Sequence, residues 1–168
     1  ILEGGPGAGA ATLAGSRLGM FRRFRTDRDL VFVDQRGTGD SNRLGCDPPA
    51  DELDAVATDD DRSMARIRAC LAALDADPRL YTTSIAMDDL DDVRRFLGYD
   101  LINLWGGSYG TRAALVYLRQ HEAHVRSVVL DGVAPQDMRL PLHTARDAQR
   151  ALDRLMADCA ADAACAAA

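Results

Sequence analysis

The five residues Gly106-Gly107-Ser108-Tyr109-Gly110 set one hydroxyl among glycines. An unassisted serine is a poor nucleophile. It becomes useful when a sharp strand-to-helix turn lifts its hydroxyl clear of the backbone, the geometry behind the pattern G-x-S-x-G. Glycines on either side remove side chains that would clash in such a turn. Ser108 would then sit at a helix N-terminus, where amide hydrogens favour developing negative charge. The chemistry implied is acyl transfer through Ser108.

Acyl transfer also needs two amide donors for the oxyanion. One is expected from the residue after the nucleophile, Tyr109. The other is expected from the loop Gly4-Gly5-Pro6-Gly7, which follows the strand-like Ile1-Leu2. Pro6 has no N–H, so Gly5 is the first candidate and Gly7 the second. A base must come later in the chain, and the histidines after Ser108 are His121, His124 and His143. His121 and His124 follow the helix that begins at Ser108, so they lie at its far end. A triad of Ser108, Asp131 and His143 is conceivable, since Asp131 ends the next strand. Asp34 and Arg36 end an earlier strand. They are read as structural, in ion pairing, or as ordering the loops around a pocket. Asp131 is otherwise structural or pocket-lining.

The elements that must hold these residues follow from periodicity. Leu30–Val33 and Val125–Val133 read as buried strands, and Leu101–Trp105 as the strand leading into Ser108. Residues 12–24 hold a short helix or an irregular loop, and 38–52 read as loop. Residues 62–75 repeat Met64, Ile67, Leu71 and Leu74 at helical spacing, and residues 84–97 do the same with Ala86, Leu90, Val93 and Leu97. Gly98 is set as a C-terminal cap. Thr111–Gln120 and 144–159 complete the helices, the last with Thr144 and Asp147 spaced as a capping box. Strands alternating with helices predict an α/β fold with a parallel sheet.

Composition narrows the class. The net charge is −6, and phosphate binding needs a basic stripe, so no nucleic-acid role is expected. No apolar run reaches the length of a membrane span. The four cysteines, Cys46, Cys70, Cys159 and Cys165, fit no common zinc spacing, and no metal or other cofactor is expected. Their even number permits disulfides in three connectivities, and Cys159 with Cys165 could close a small loop.

Taken together, GGPG, the segment DQRGTGDS from Asp34 to Ser41, and GGSYGT from Gly106 to Thr111 resemble the α/β-hydrolase peptidases of the proline iminopeptidase and tripeptidyl aminopeptidase group. The resemblance implies a partial α/β-hydrolase core over 1–139, with the start of a helical cap over 140–168. It implies a serine hydrolase acting near the N-terminus of peptides. A carboxylesterase and a non-catalytic binding protein on the same scaffold are the alternatives. It implies a secreted or cell-envelope location, with cytoplasmic as the alternative, and a cap disulfide between Cys159 and Cys165. It also implies an acid and a histidine base beyond Ala168. Asp131 is then not the acid. Glu3 departs from the family pattern, standing where many relatives have histidine. The chain begins without methionine and stops in an alanine-rich run, so both ends are expected to be cuts in a longer protein. Residues 1–168 expressed alone are therefore expected to be insoluble or inactive. Soluble, cooperatively folded material with ordinary esterase turnover would overturn that expectation.

Overall fold

The computed structural model describes residues 1–46, 60–139 and 141–166. These form two compact units, Ile1–Pro135 and Gln136–Ala168. The first unit holds helices α1 (Ala10–Arg17), α2 (Asp60–Ala73) and α3 (Thr83–Phe96), strand β1 (Ile102–Gly107), helix α4 (Tyr109–Gln120) and strand β2 (Val125–Asp131). The second holds α5 (Thr144–Ala161) and α6 (Ala163–Ala166).

The centre of the first unit is the β1–α4–β2 crossover. β1 and β2 are parallel, in register from Asn103 opposite Ser127 to Gly107 opposite Asp131. Leu2 joins the other side of β1. Its N–H donates to the Trp105 carbonyl at 2.8 Å, and its carbonyl accepts from the Gly107 N–H at 3.1 Å. The core gathers Leu2, Ala86, Met87, Leu104, Ala113, Ala114, Val116 and Tyr117. Ala113 and Ala114 let α4 lie close against β1, and the apolar face of α3 packs on the same helix.

Two strand expectations change. Leu30–Val33 is half-buried but forms no strand. A strand exists through its ladder, and the two-residue Ile1–Leu2 segment gives it a single bond, from the Ile1 nitrogen to the Val31 carbonyl. β2 is a strand, yet it is not buried: Val129 is 55% exposed. It pairs with β1 along one edge, and within the first unit no described strand pairs with its other edge.

α2 forms as its spacing predicts, with Met64, Ile67 and Leu71 each about half exposed. A disulfide between Cys46 and Cys70 fastens it to the preceding loop. The loop expectation for 38–52 is met through Cys46, and residues 47–52 lie outside the described residues. α3 begins with Thr82 as N-cap, its hydroxyl accepting from the Ile85 N–H. It ends where Gly98 takes φ +76° and the Gly98 and Tyr99 amides close back onto Arg95 and Arg94. In the second unit the capping box does not form. Thr144 is already helical and His143 is the N-cap, without a side-chain bond. Leu152, Leu155 and Met156 on α5 are exposed. A Cys159–Cys165 disulfide, with Cα atoms 5.2 Å apart, links α5 to α6.

One buried carboxylate locks α3 to the far end of α4. Asp91 Oδ1 accepts from Tyr117 OH at 2.7 Å and from Arg94 Nε at 2.7 Å, and His124 Nδ1 lies 2.9 Å away. Arg94 Nη2 reaches Oδ2, and Nη1 donates to the Tyr99 carbonyl. Hydrogen bonding from Arg94, then from Tyr117 and His124, holds the Asp91 carboxyl far below the ordinary carboxylate range, despite the opposing effect of burial. Burial, and then the bond to Asp91, push the Tyr117 phenol up. The depressed Asp91 value means that folding favours the ionised carboxylate. Its stabilisation is complete above the unfolded-chain value of about 4 and is lost as pH falls below it. Asp91→Asn, made in the complete reading frame, is expected to lower unfolding free energy by about 3 kcal/mol at pH 7, the cost of breaking a buried pair. The gap from wild type should narrow at pH 3, as read by urea denaturation at both values.

Candidate functional site

Ser108 occupies the junction of β1 and α4 with φ 51° and ψ −118°. A non-glycine residue held there costs about 1–3 kcal/mol and persists only where its surroundings over-determine it. They do so here by backbone contact. The Ser108 N–H donates to the Asp131 carbonyl at 2.8 Å, which ties the turn to the end of β2. The Ser108 carbonyl accepts from the Thr111 N–H at 3.0 Å and from the Thr111 hydroxyl at 2.6 Å. Thr111 is fully buried, and its Oγ1 in turn accepts from the Ala134 N–H at 2.8 Å. The Ser108 side chain is exposed and makes no capping bond, so its hydroxyl is left at the surface of the turn.

The glycines of the motif are required by space. A methyl on Gly106 would strike the Gly110 carbonyl, and one on Gly110 would strike the Leu2 carbonyl. A methyl on Gly107 would come within 2.7 Å of the Trp105 ring. The strand, the turn and the helix start are thus pressed backbone to backbone.

The Gly4–Gly7 loop faces this turn. A methyl on Gly4 would lie 3.2 Å from Ser108 Cβ and 3.7 Å from its Oγ. Gly4 is therefore the glycine of the loop that comes closest to Ser108, a position to which the sequence pattern gives no role. The signal for it was its place as the first glycine after Leu2. Gly5 and Gly7 follow with φ +113° and +107°, conformations open to glycine, and the Gly5–Pro6 peptide is cis. A cavity of about 280 Å³ opens beside the loop, lined by Gly4, Pro6, Gly7, Arg36, Tyr81, Thr83 and Tyr109 among others. Tyr109 reaches across it, its hydroxyl 2.8 Å from Thr83 Oγ1 at the start of α3.

The remaining candidates separate. Arg36 is in an ion pair, with Asp89 of α3, and also donates to the Leu80 carbonyl. Asp34 instead accepts from two backbone amides, Ala11 at 2.7 Å and Asp40 at 3.0 Å. Asp131 meets Ser108 through its backbone carbonyl while its side chain is exposed. Glu3 is buried and held by Arg17 in a two-bond ion pair. His121 and His124 stand beyond the C-terminus of α4, which at 1.5 Å per residue spans about 18 Å from Ser108. They engage Asp88 and Asp91 there. With Asp91 they form a cluster whose ligand atoms lie within 4.8 Å of one another. Asp91 Oδ1 already accepts from the Arg94 guanidinium and the Tyr117 hydroxyl, with His124 Nδ1 2.9 Å away, so the cluster is occupied by its own hydrogen bonds. No helix of the described residues is long and apolar enough to cross a membrane.

The sequence has relatives among known proteins. The sequence model of the alpha/beta hydrolase fold family matches residues 1–165. The chain belongs to the α/β-hydrolase family. Among relatives, the serine protease Hip1 of Mycobacterium tuberculosis (strain H37Rv) is 29% identical over 187 residues, covering 98% of this chain and 35% of that protein. The proline iminopeptidase of Neisseria gonorrhoeae is 29% identical over 135 residues, covering 79% of this chain and 31% of that protein. The chain thus spans about a third of the length of these relatives. As an α/β-hydrolase chain its parallel β1–α4–β2 unit is the portion of the sheet that carries Ser108.

The contacts at the turn predict its intolerance. Gly110→Ala is expected to destabilise the protein by about 3 kcal/mol or more, because backbone atoms rather than a flexible side chain must move. Thr111→Val, which keeps the shape and loses both hydroxyl bonds, is expected to cost about 1–3 kcal/mol. Thermal unfolding of both variants beside wild type checks this.

Proposed function

We propose that the protein carrying this chain is a serine peptidase that cleaves near the N-terminus of peptides through an acyl-enzyme on Ser108. The observation that carries this reading is the exposed Ser108 hydroxyl on a positive-φ turn, at the N-terminus of α4 and within reach of the Gly4–Gly7 loop. In this reading Ser108 Oγ attacks the carbonyl carbon and a histidine accepts its proton. The amides of Tyr109 and Gly5 hold the oxyanion, with Gly7 as the second choice for the loop donor. The histidine then returns the proton to the leaving amine, and water releases the acyl group.

The base and its acid are proposed to lie outside these 168 residues. Supporting this, His121 and His124 are engaged with carboxylates at the far end of α4, and the chain spans about a third of its relatives' length. The peptide substrate class is supported by the names of those relatives, a serine protease and a proline iminopeptidase. A secreted or cell-envelope location is supported by the two disulfides, which persist in oxidising compartments.

In the complete reading frame, a fluorophosphonate probe is expected to label wild type and to leave Ser108→Ala unlabelled. The variant should lose at least about 10⁴-fold in kcat on an aminoacyl or tripeptidyl chromogenic substrate. Equal labelling of the two proteins would sink the assignment of Ser108. Turnover of simple esters alone, with no cleavage of either peptide-type substrate, would sink the peptidase reading and leave an esterase.

A further inference from the structure

We infer that Asp34 is a positioning residue for the reaction at Ser108, holding the glycine-rich loop in the place from which its amide can meet the oxyanion. The inference rests on the serine-hydrolase reading above and adds a residue to it.

The loop Gly4–Gly7 runs through Ala8 and Gly9 directly into α1. Gly9 is the N-cap of that helix and has no side chain with which to bond the first-turn amides. Such amides ordinarily find an oxygen on the N-cap residue itself. Here the oxygen comes from 23 residues away: Asp34 Oδ1 accepts from the Ala11 N–H at 2.7 Å. Its other oxygen, Oδ2, accepts from the Asp40 N–H at 3.0 Å, on the turn that closes between Thr38 and Ser41. A negative carboxylate at a helix N-terminus is further stabilised by the helix dipole.

The surroundings are cut to fit that carboxylate. Asp34 is 8% exposed. A methyl on Gly9 would come within 2.9 Å of Asp34 Oδ1, and one on Gly39 would collide with Oδ2. Glycines from two separate loops thus leave the space that one side chain fills. The same segment is fixed on its other side, where Arg36 pairs with Asp89 of α3 and α3 meets the Tyr109 hydroxyl through Thr83. Both sides of the proposed oxyanion site, the loop and the residue after Ser108, are in this way referred to one short stretch of chain. Asp34 is not among the residues that line the cavity beside the loop, and its carboxylate bonds to backbone amides, so it acts through the loop.

Asp34→Asn is the test, made in the complete reading frame. One amide oxygen can still accept from one amide, but the NH₂ must face the other donor, so one anchor is lost. The expected result is a 10- to 100-fold fall in kcat, roughly the penalty of a misplaced oxyanion donor, with KM within twofold of wild type. Phenylboronic acid, whose adduct on Ser108 sets an oxygen where the oxyanion forms, should bind more weakly by a similar factor. Asp91→Asn serves as the stability control, since it removes a buried carboxylate at the far end of α4. The inference is overturned if, with both variants fully folded, Asp34→Asn changes kcat and boronate binding no more than Asp91→Asn does. It is overturned also if only KM moves. If Asp34→Asn does not fold, Gly39→Ala, which pushes the carboxylate aside while keeping its charge, is read by the same criteria. Failure of both to fold would show that the carboxylate holds the domain rather than the loop and would overturn the inference too. Ser108→Ala in the same series keeps the two ideas apart: full activity there sinks the serine reading, whatever Asp34 does.

Discussion

Three backbones meet at Gly110 with no room for a side chain between them. The first turn of α4 sits against the Leu2 carbonyl with no room for a methyl, and Gly106 is pressed on the Gly110 carbonyl in the same way. Everything that distinguishes Ser108 follows from that proximity. A strand and a helix that touch this closely leave a single residue to reverse direction between them, and it must take positive φ. The strain is offset by bonds that the same closeness permits, from the Ser108 amide to β2 and from Thr111 back to the Ser108 carbonyl. Buried Thr111 then links the turn to the chain leaving β2, so the Ser108 backbone is held at both its amide and its carbonyl.

Two of the buried carboxylates have different kinds of partner. Around Asp91, a carboxylate, a guanidinium, a phenol and an imidazole satisfy one another at the far end of α4. Around Asp34, a lone carboxylate satisfies backbone amides near the glycine loop. The first arrangement joins helices; the second fixes loops. Both obey the rule that a buried charge needs enough donors to replace its water. They differ in that side chains can be exchanged within the first group more easily than backbone amides can be moved in the second.

Much of this was legible in the sequence, because local rules and the fold agree there. The helices over residues 62–75, 84–97 and 111–120 have clear apolar periodicity, and the glycine pattern around Ser108 has a steric cause that is local. What was not legible depended on partners far along the chain. The run Leu30–Val33 has strand composition, but a strand needs a neighbour, and composition does not report one. The exposure of β2 has the same origin. The capping box at Thr144 and Asp147 has the right spacing, yet the helix begins one residue earlier than the box requires. The contact of Gly4 with Ser108, and the acceptance of the Ala11 amide by Asp34, join positions separated by about a hundred and by 23 residues. Spacing in one dimension carries no trace of them.

α4 is anchored at both ends on different sides of one turn count. Thr111 faces the Ser108 turn near its start, and Tyr117 faces Asp91 near its end. Each residue added or removed between them would rotate the later anchor by about 100° around the helix axis and shift it by 1.5 Å along it. The two anchors therefore depend on the number of residues between them. An insertion or deletion inside α4 would part its two anchors, whereas one in the loops that flank the β1–α4–β2 unit would leave the ruler between Ser108 and Asp91 intact.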